Sequence, residues 1–80
     1  MLSDIKDAVI RVGVKQSKKA VEEGNAAKAY VAEDADPYIT EPFLALCKEK
    51  GVSFEVVPSM EKLGRVAGID VGAAIVVILK

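Results

Sequence analysis

The stretch GAAIVVIL, residues 72–79, is the most apolar part of the chain and decides the expected fold. It carries no charge, it is rich in β-branched residues, and it is too short to span a membrane as a helix. A strand with apolar residues on both faces must be covered on both faces. We therefore predict an α/β domain in which residues 72–79 form a central strand between two layers of helices.

Periodicity and breaker residues place the other elements around this strand. Helices are predicted over residues 3–10, capped by Ser3, over 15–23, from the cap Thr40 to about residue 50, and from the cap Ser59 to about residue 66. The remaining strands are predicted over residues 11–14, 28–33 and 52–57. Three strand-helix-strand units indicate a three-layer α-β-α sandwich with a four-stranded mixed, mostly parallel sheet. With 80 residues, positions 1–80 are expected to form a single domain.

The composition argues against several classes of protein. The chain has no His, which removes the commonest general base and metal ligand, so we expect no enzymatic activity and no cofactor. The lone Cys47 allows no internal disulfide, which favours a reducing, cytoplasmic setting. The first ten residues lack the pattern of a signal peptide.

Charge is unevenly distributed along the chain. The net charge is -1, which argues weakly against a nucleic-acid partner, yet residues 11–28 carry five basic side chains against two acidic ones. In the helix predicted over residues 15–23, Ser17, Ala20, Val21 and Gly24 are expected to face inward. Lys15, Gln16 and Lys19 would then point outward together, which predicts a local positive face.

A glycine turn leads into this helix in the segment GVKQSKK, residues 13–19, and is the first candidate site. Helix N-termini suit phosphates, and Lys and Gln side chains can contact base edges. The alternative interpretation is an ordinary solvated, lysine-rich helix face.

The second candidate is the segment LGRVAGIDV, residues 63–71, which leads into the central strand. Its apolar residues Val66, Ile69 and Val71 lie where a polar loop would be expected. They could tuck into the core, or they could form a surface for an unstacked base or a partner side chain.

Two other features have simpler explanations. The acidic turn EDADP, residues 33–37, offers the hard oxygen ligands Glu33, Asp34 and Asp36, but it lacks the spacing of an EF-hand, and solvated helix caps are the commoner role. Cys47 shares the predicted buried stripe with Phe43 and Leu46 and is interpreted as a core residue. No phosphate-binding glycine motif occurs, so nucleotide hydrolysis has no support. Because helix capping is the commoner role of the acidic turn, no metal site is predicted.

Four motifs follow one another along the chain: GVKQSKKAVEEG, VAEDADP, LCKEKGV and MEKLGRVAGIDVGAA. In this order they resemble the ribosomal protein L-seven-Ae/L-thirty-e family, in particular its small bacterial YbxF-like members. The resemblance covers residues 5–79. It implies an α-β-α sandwich that binds RNA kink-turns, where sheared G·A pairs adjoin a bulge that bends the helix. The implied partners are ribosomal RNA, a riboswitch or a similar structured RNA, and the ribosome, with no DNA, no membrane and a monomeric state.

The resemblance also implies roles for individual residues. Lys15, Gln16 and Lys19 would contact the guanines of the sheared pairs, while Gly13 and Val14 allow a close backbone approach. The bulged nucleotides would meet the second segment, at Arg65, Val66, Ala67, Gly68, Ile69, Asp70 and Val71. Archaeal and eukaryotic members usually carry Asn-Glu at the position of Lys15-Gln16. The alternative function is a protein-interaction or small-ligand module on the same fold.

Overall fold

The structure, a computed structural model, describes Ile5 and residues 8–80. Its elements are β1 (Ile10–Val12), α1 (Val14–Glu22), β2 (Ala26–Ala32), α2 (Pro37–Lys50), β3 (Ser53–Val57), α3 (Met60–Val66) and β4 (Ile75–Leu79). The helix predicted over residues 3–10 and its Ser3 cap fall largely outside the described residues, and Ile10 already belongs to β1. The other predicted helices and strands are confirmed, with ends that move by up to three residues.

The four strands form one sheet in the order β1-β4-β2-β3. The predicted mixed sheet is confirmed, but the expectation of a mostly parallel sheet is wrong. β4 runs antiparallel to both β1 and β2, and only β2 and β3 are parallel neighbours. β1 and β2 do run in the same direction, as a strand-helix-strand unit requires, but β4 inserts between them and changes the pairing.

β4 is covered on both faces, as its apolar sequence predicts. Ile75 and Val77 pack with residues of α1 and α2, while Val76 packs on the other face with Leu63 of α3. All four side chains are fully buried, which contributes about 1.5–3 kcal/mol for each of them. The two core clusters, one on each side of the sheet, establish the three-layer α-β-α sandwich.

The start of α2 differs from the prediction, which placed the cap at Thr40. The helix begins at Pro37, and Asp36 is its N-cap, accepting a hydrogen bond from the backbone N–H of Tyr38 at 2.9 Å. Proline suits the first helical position because its fixed φ is already helical and its missing N–H would be unpaired there. Thr40 is therefore a buried residue inside the helix, and Pro42 lies in the second turn rather than the first.

The predicted inward-facing positions of α1 and α2 are confirmed in part. Gly24 was expected to face inward but is exposed, with a φ of 75° that ends α1 in the left-handed region. In α2, Phe43 and Cys47 are buried as predicted, and Leu46 is partly buried. No helix among the described residues is long and apolar enough to cross a membrane.

The sheet gathers several termini at one end, which we call the upper end. Here β1, β2 and β3 finish and β4 begins, as the pairs Val12 with Val76, Val31 with Ile75, and Ala32 with Val57 require. Because α1, α2 and α3 each follow one of the finishing strands, all three begin at this end. The first candidate segment starts at this end, and the second leads into β4, which also starts here.

Candidate nucleic-acid interface

Gly13 joins β1 to α1 at the upper end. Its φ of 97° lies in the region that favours glycine, and a Cβ there would meet nothing within 4 Å, so conformation rather than space requires this residue. Its N–H donates to the carbonyl of Ile75, the first residue of β4, at 3.0 Å. The start of α1 is thereby tied to the strand that follows the second candidate segment.

The first turn of α1 favours an anionic ligand. Gly13 is the N-cap but supplies no side-chain cap, and the turn contains no acidic residue. A helix N-terminus carries a partial positive charge and orients its first backbone N–H groups outward. Lys15 adds a full positive charge in the same turn.

The polar face of α1 has the predicted orientation. Lys15, Gln16 and Lys19 are exposed, whereas Ser17, Ala20 and Val21 are buried. The Ser17 hydroxyl donates to the carbonyl of Arg11 at 3.5 Å, which gives this buried polar group a partner. A regular helix therefore presents the three predicted contact residues to solvent.

Arg11 lies beside this face, and the sequence interpretation did not include it in the site. It lines a groove of about 230 Å³ together with Gln16 and Lys19 of α1. Ile10 and Val12 pack towards the core on the α3 side of the sheet, so the alternation of β1 leaves Arg11 on the α1 side. That alternation, isoleucine-arginine-valine, is the signal that could have identified it.

The second candidate segment divides into two structures. Residues 63–66 are the end of α3, and residues 67–74 form the connection that we call the α3–β4 loop. Arg65 therefore projects from a helix, where its Nη2 atom lies 2.9 Å from Oε1 of Glu61 in an exposed ion pair. Gly68 ends α3 with a φ of 81°, in the left-handed region.

The apolar side chains of this segment differ in their exposure to solvent. Val66, Ala67 and Ile69 pack against the core cluster on the α3 side of the sheet. Val71, by contrast, is 70% exposed. It borders a concave surface of about 310 Å³, lined by Glu61, Arg65, Ile69, Asp70, Val71 and Gly72. The interpretation that the segment tucks into the core is therefore confirmed for Val66 and Ile69, and the binding surface at Val71 stays a prediction.

The α3–β4 loop is seated on α3 through backbone contacts. The Ile69 N–H donates to the Gly64 carbonyl and the Ala73 N–H to the Met60 carbonyl, both at 3.0 Å. Gly64 is buried, and a Cβ at this position would overlap the carbonyl oxygen of Val71. The sequence interpretation gave Gly64 no role, although a glycine inside a helical pattern can indicate such a close approach.

The two aspartates of the acidic turn accept hydrogen bonds from backbone N–H groups at the starts of helices. Asp34 Oδ1 accepts a hydrogen bond from the N–H of Met60 at 2.8 Å, and Asp36 caps α2. In the part of the chain that the structure describes, no three His, Cys, Asp or Glu side chains cluster so that they could hold a metal ion. Capping is therefore the role that these two aspartates have.

Cys47 lies in the core between α2 and the sheet. Burial raises the pKa of its thiol above the ordinary value, because an apolar environment disfavours the charged thiolate. Its packing and the direction of this shift agree with the prediction of a core residue.

The chain matches the model of the "Ribosomal protein L7Ae/L30e/S12e/Gadd45 family" over residues 3–80. It belongs to this family. An "RNA-binding protein" from Bacillus pumilus is 47% identical over 70 residues, which cover 88% of this chain and 85% of the relative. "RNA-binding protein YbxF" from Geobacillus stearothermophilus is 46% identical over 71 residues, covering 89% and 87% of the two chains. The family resemblance predicted from the motifs is confirmed.

A solved structure gives the same result for the fold. The "Giardia lamblia 15.5kD RNA binding protein" superposes with a TM-score of 0.90 at 30% sequence identity, covering 99% of this chain and 70% of that chain. The α-β-α architecture of this chain is therefore also found in a solved structure of an RNA-binding protein.

Proposed function

We propose that residues 1–80 form a single RNA-binding domain without enzymatic activity, which recognises kink-turns in structured RNA. One observation carries the proposal: the first candidate segment starts, and the second leads into β4, at the same end of the sheet, where the Gly13 N–H donates to the Ile75 carbonyl. The names of the relatives, which describe RNA-binding proteins, support the class of ligand. Neither segment alone is specific, and in this proposal one bent RNA contacts both of them.

The α1 segment, residues 13–19, would read the sheared G·A pairs. An A-form major groove is too narrow for side chains, so an RNA must be kinked before a helix start can reach its base edges. Lys15, Gln16 and Lys19 would then contact the guanines, because Lys and Gln can bond the acceptors of a guanine edge. Gly13 and Val14 would allow the RNA to approach the backbone closely.

The second segment, residues 65–71, would receive the bulged nucleotides. Val71 supplies an exposed apolar side chain beside the 310 Å³ concave surface, and Arg65 supplies a positive charge on the same surface. The shape of this concave surface would be fixed by the core-packed side chains of Val66, Ala67 and Ile69. Gly68 and Asp70 would contribute backbone flexibility and an exposed polar edge.

Binding of this kind would stabilise the kinked conformer, because a ligand shifts an equilibrium by its differential affinity for the two states. We propose ribosomal RNA or a riboswitch as the target, with association with the ribosome, in the cytoplasm and as a monomer. The net charge of -1 leaves few phosphate contacts, so the affinity should depend only modestly on salt.

The decisive experiment is a gel-shift titration at fixed salt and Mg²⁺ with two RNAs. One contains a standard kink-turn, and in the other the sheared G·A pairs are replaced by Watson–Crick pairs. We expect tighter binding to the first RNA. Equal or absent binding would reject the proposal in favour of the alternative, a protein-interaction or small-ligand module on the same fold.

A further inference from the structure

Asp34 is an exposed acidic residue at the upper end, where its charge would repel RNA. Its carboxylate is nevertheless bound in a specific way. Oδ1 accepts the N–H of Met60, the first residue of α3, across 26 positions of sequence. The bond therefore links the end of β2 to the start of α3, two elements that the chain itself connects only through α2 and β3.

Met60 in turn holds the far end of the α3–β4 loop. Its carbonyl accepts the N–H of Ala73 at 3.0 Å, and a Cβ added to Gly72 would lie 3.0 Å from the Cβ of Met60. The near end of the loop is seated on Gly64, four residues further along α3. The loop and α3 thus form one unit. Asp34 adds a bond between the start of that unit and the end of β2, beside the bond that the Ala32 N–H donates to the Ala74 carbonyl at 2.8 Å.

We propose that Asp34 is a positioning residue for RNA recognition, which places the α3–β4 loop at the right distance and orientation from the α1 segment. This role rests on the proposed function. Asp34 itself makes no contact with RNA in this scheme. It acts through Met60 and Ala73 on Val71, the exposed apolar residue of the loop.

The sign of the mutational effect separates positioning from electrostatics. Removing an exposed carboxylate near a polyanion should strengthen binding if charge alone matters. Losing the Met60 bond should weaken it, because the loop is no longer held. Asp34→Asn keeps an oxygen that can accept the bond and removes the charge, whereas Asp34→Ala removes both.

Asp36 provides a matched control in the same turn. Its side chain also accepts one backbone N–H, that of Tyr38 at 2.9 Å, but the bond caps α2 and does not touch the loop. Asp36→Ala should therefore lose a comparable amount of stability without the same effect on the α3–β4 loop.

The experiment compares these three variants with the wild-type protein by gel shift on the standard kink-turn RNA. We expect Asp34→Ala to bind about fivefold to tenfold more weakly, with Asp34→Asn and Asp36→Ala within about twofold of the wild type. Val71→Ala should cost less in the Asp34→Ala background than in the wild type, because the two act through one loop. Equal or tighter binding by Asp34→Ala, or full additivity with Val71→Ala, would overturn the role.

Amide hydrogen exchange of the free protein gives a reading that does not involve RNA. The Ala73 amide should exchange faster in Asp34→Ala than in Asp34→Asn, since its partner Met60 is no longer anchored. Unchanged exchange would reject the anchor even if RNA binding fell. If the wild-type protein did not prefer the kink-turn RNA, the proposed function would fail first, and the exchange result would then describe a structural anchor only.

Discussion

The two halves of the candidate interface are built in different ways. The α1 segment presents Lys15, Gln16 and Lys19 from one face of a regular helix, whose positions follow from local hydrogen bonds. The α3–β4 loop has no repeating geometry of its own, and its shape depends on contacts with Met60, Gly64 and the core. We infer that substitutions in α1 should act on contacts one at a time, whereas substitutions under the loop should act on its whole shape.

The largest effect is expected for Gly64→Ala, which disrupts the close contact between the α3–β4 loop and α3. Helix propensity alone predicts stabilisation by about 1 kcal/mol. We expect the opposite, a loss of about 1–3 kcal/mol in the free energy of unfolding, because the new methyl group overlaps the Val71 carbonyl. RNA affinity should fall by about tenfold or more as the loop shifts. Urea denaturation and gel shift measure the two quantities.

Gly24→Ala is the control for this substitution. Gly24, unlike Gly64, follows the end of a helix with a positive φ of 75°, and a Cβ there meets nothing within 4 Å. The strain should cost about 1 kcal/mol of stability and leave RNA affinity unchanged. If Gly64→Ala kept the stability and RNA affinity of the wild type, the α3–β4 loop would not depend on its close contact with Gly64.

An intermediate effect is expected on the α1 side. Lys19→Ala and Gln16→Ala should each weaken RNA binding by about 1–3 kcal/mol if a base contact is lost. Both side chains are exposed, so the free energy of unfolding should stay near the wild-type value. Lys50→Ala, at the exposed C-terminal end of α2, is the matched control for a lost positive charge. Unchanged affinity in Lys19→Ala would show that the site assignment is wrong.

The smallest effect is expected at Val71 in the α3–β4 loop. It separates the role of this exposed residue from that of Ile69, which packs on the core. Val71→Ala should weaken RNA binding by about 1 kcal/mol with little change in stability, since this side chain is 70% exposed. Ile69→Ala should lower the free energy of unfolding by about 1–2 kcal/mol, because Ile69 packs on the core. Thermal denaturation and gel shift of both variants test this division. A stability loss in Val71→Ala would place its side chain in the core instead.

Local sequence patterns were sufficient where the relevant bonds are local. Ser59 was predicted to cap α3, and its hydroxyl accepts the N–H of Lys62 three residues later. The buried and exposed faces of α1 followed in the same way from helical spacing. The cap of α2 was placed at Thr40 instead of Asp36, although an aspartate followed by a proline is itself a pattern that can start a helix.

Patterns failed where the partners are distant in the sequence. Nothing in residues 33–37 indicates that Asp34 binds the start of α3. The alternation in β1 can indicate the side on which Arg11 lies, but it does not show that Arg11 shares a groove with Gln16 and Lys19. The sheet order is a similar case, since the apolar sequence of β4 fits a central strand of either direction.

The sequence by itself determined the elements, the two covered faces of β4, the outward face of α1 and the family to which the chain belongs. These features depend on side-chain periodicity and on bonds between near neighbours, both of which are visible in a single chain. Only the tertiary structure decided that β4 runs antiparallel between β1 and β2, which brings Gly13 to Ile75, and that Gly64 and Asp34 hold the α3–β4 loop. Such contacts form only when distant segments pack together, and so no local pattern encodes them.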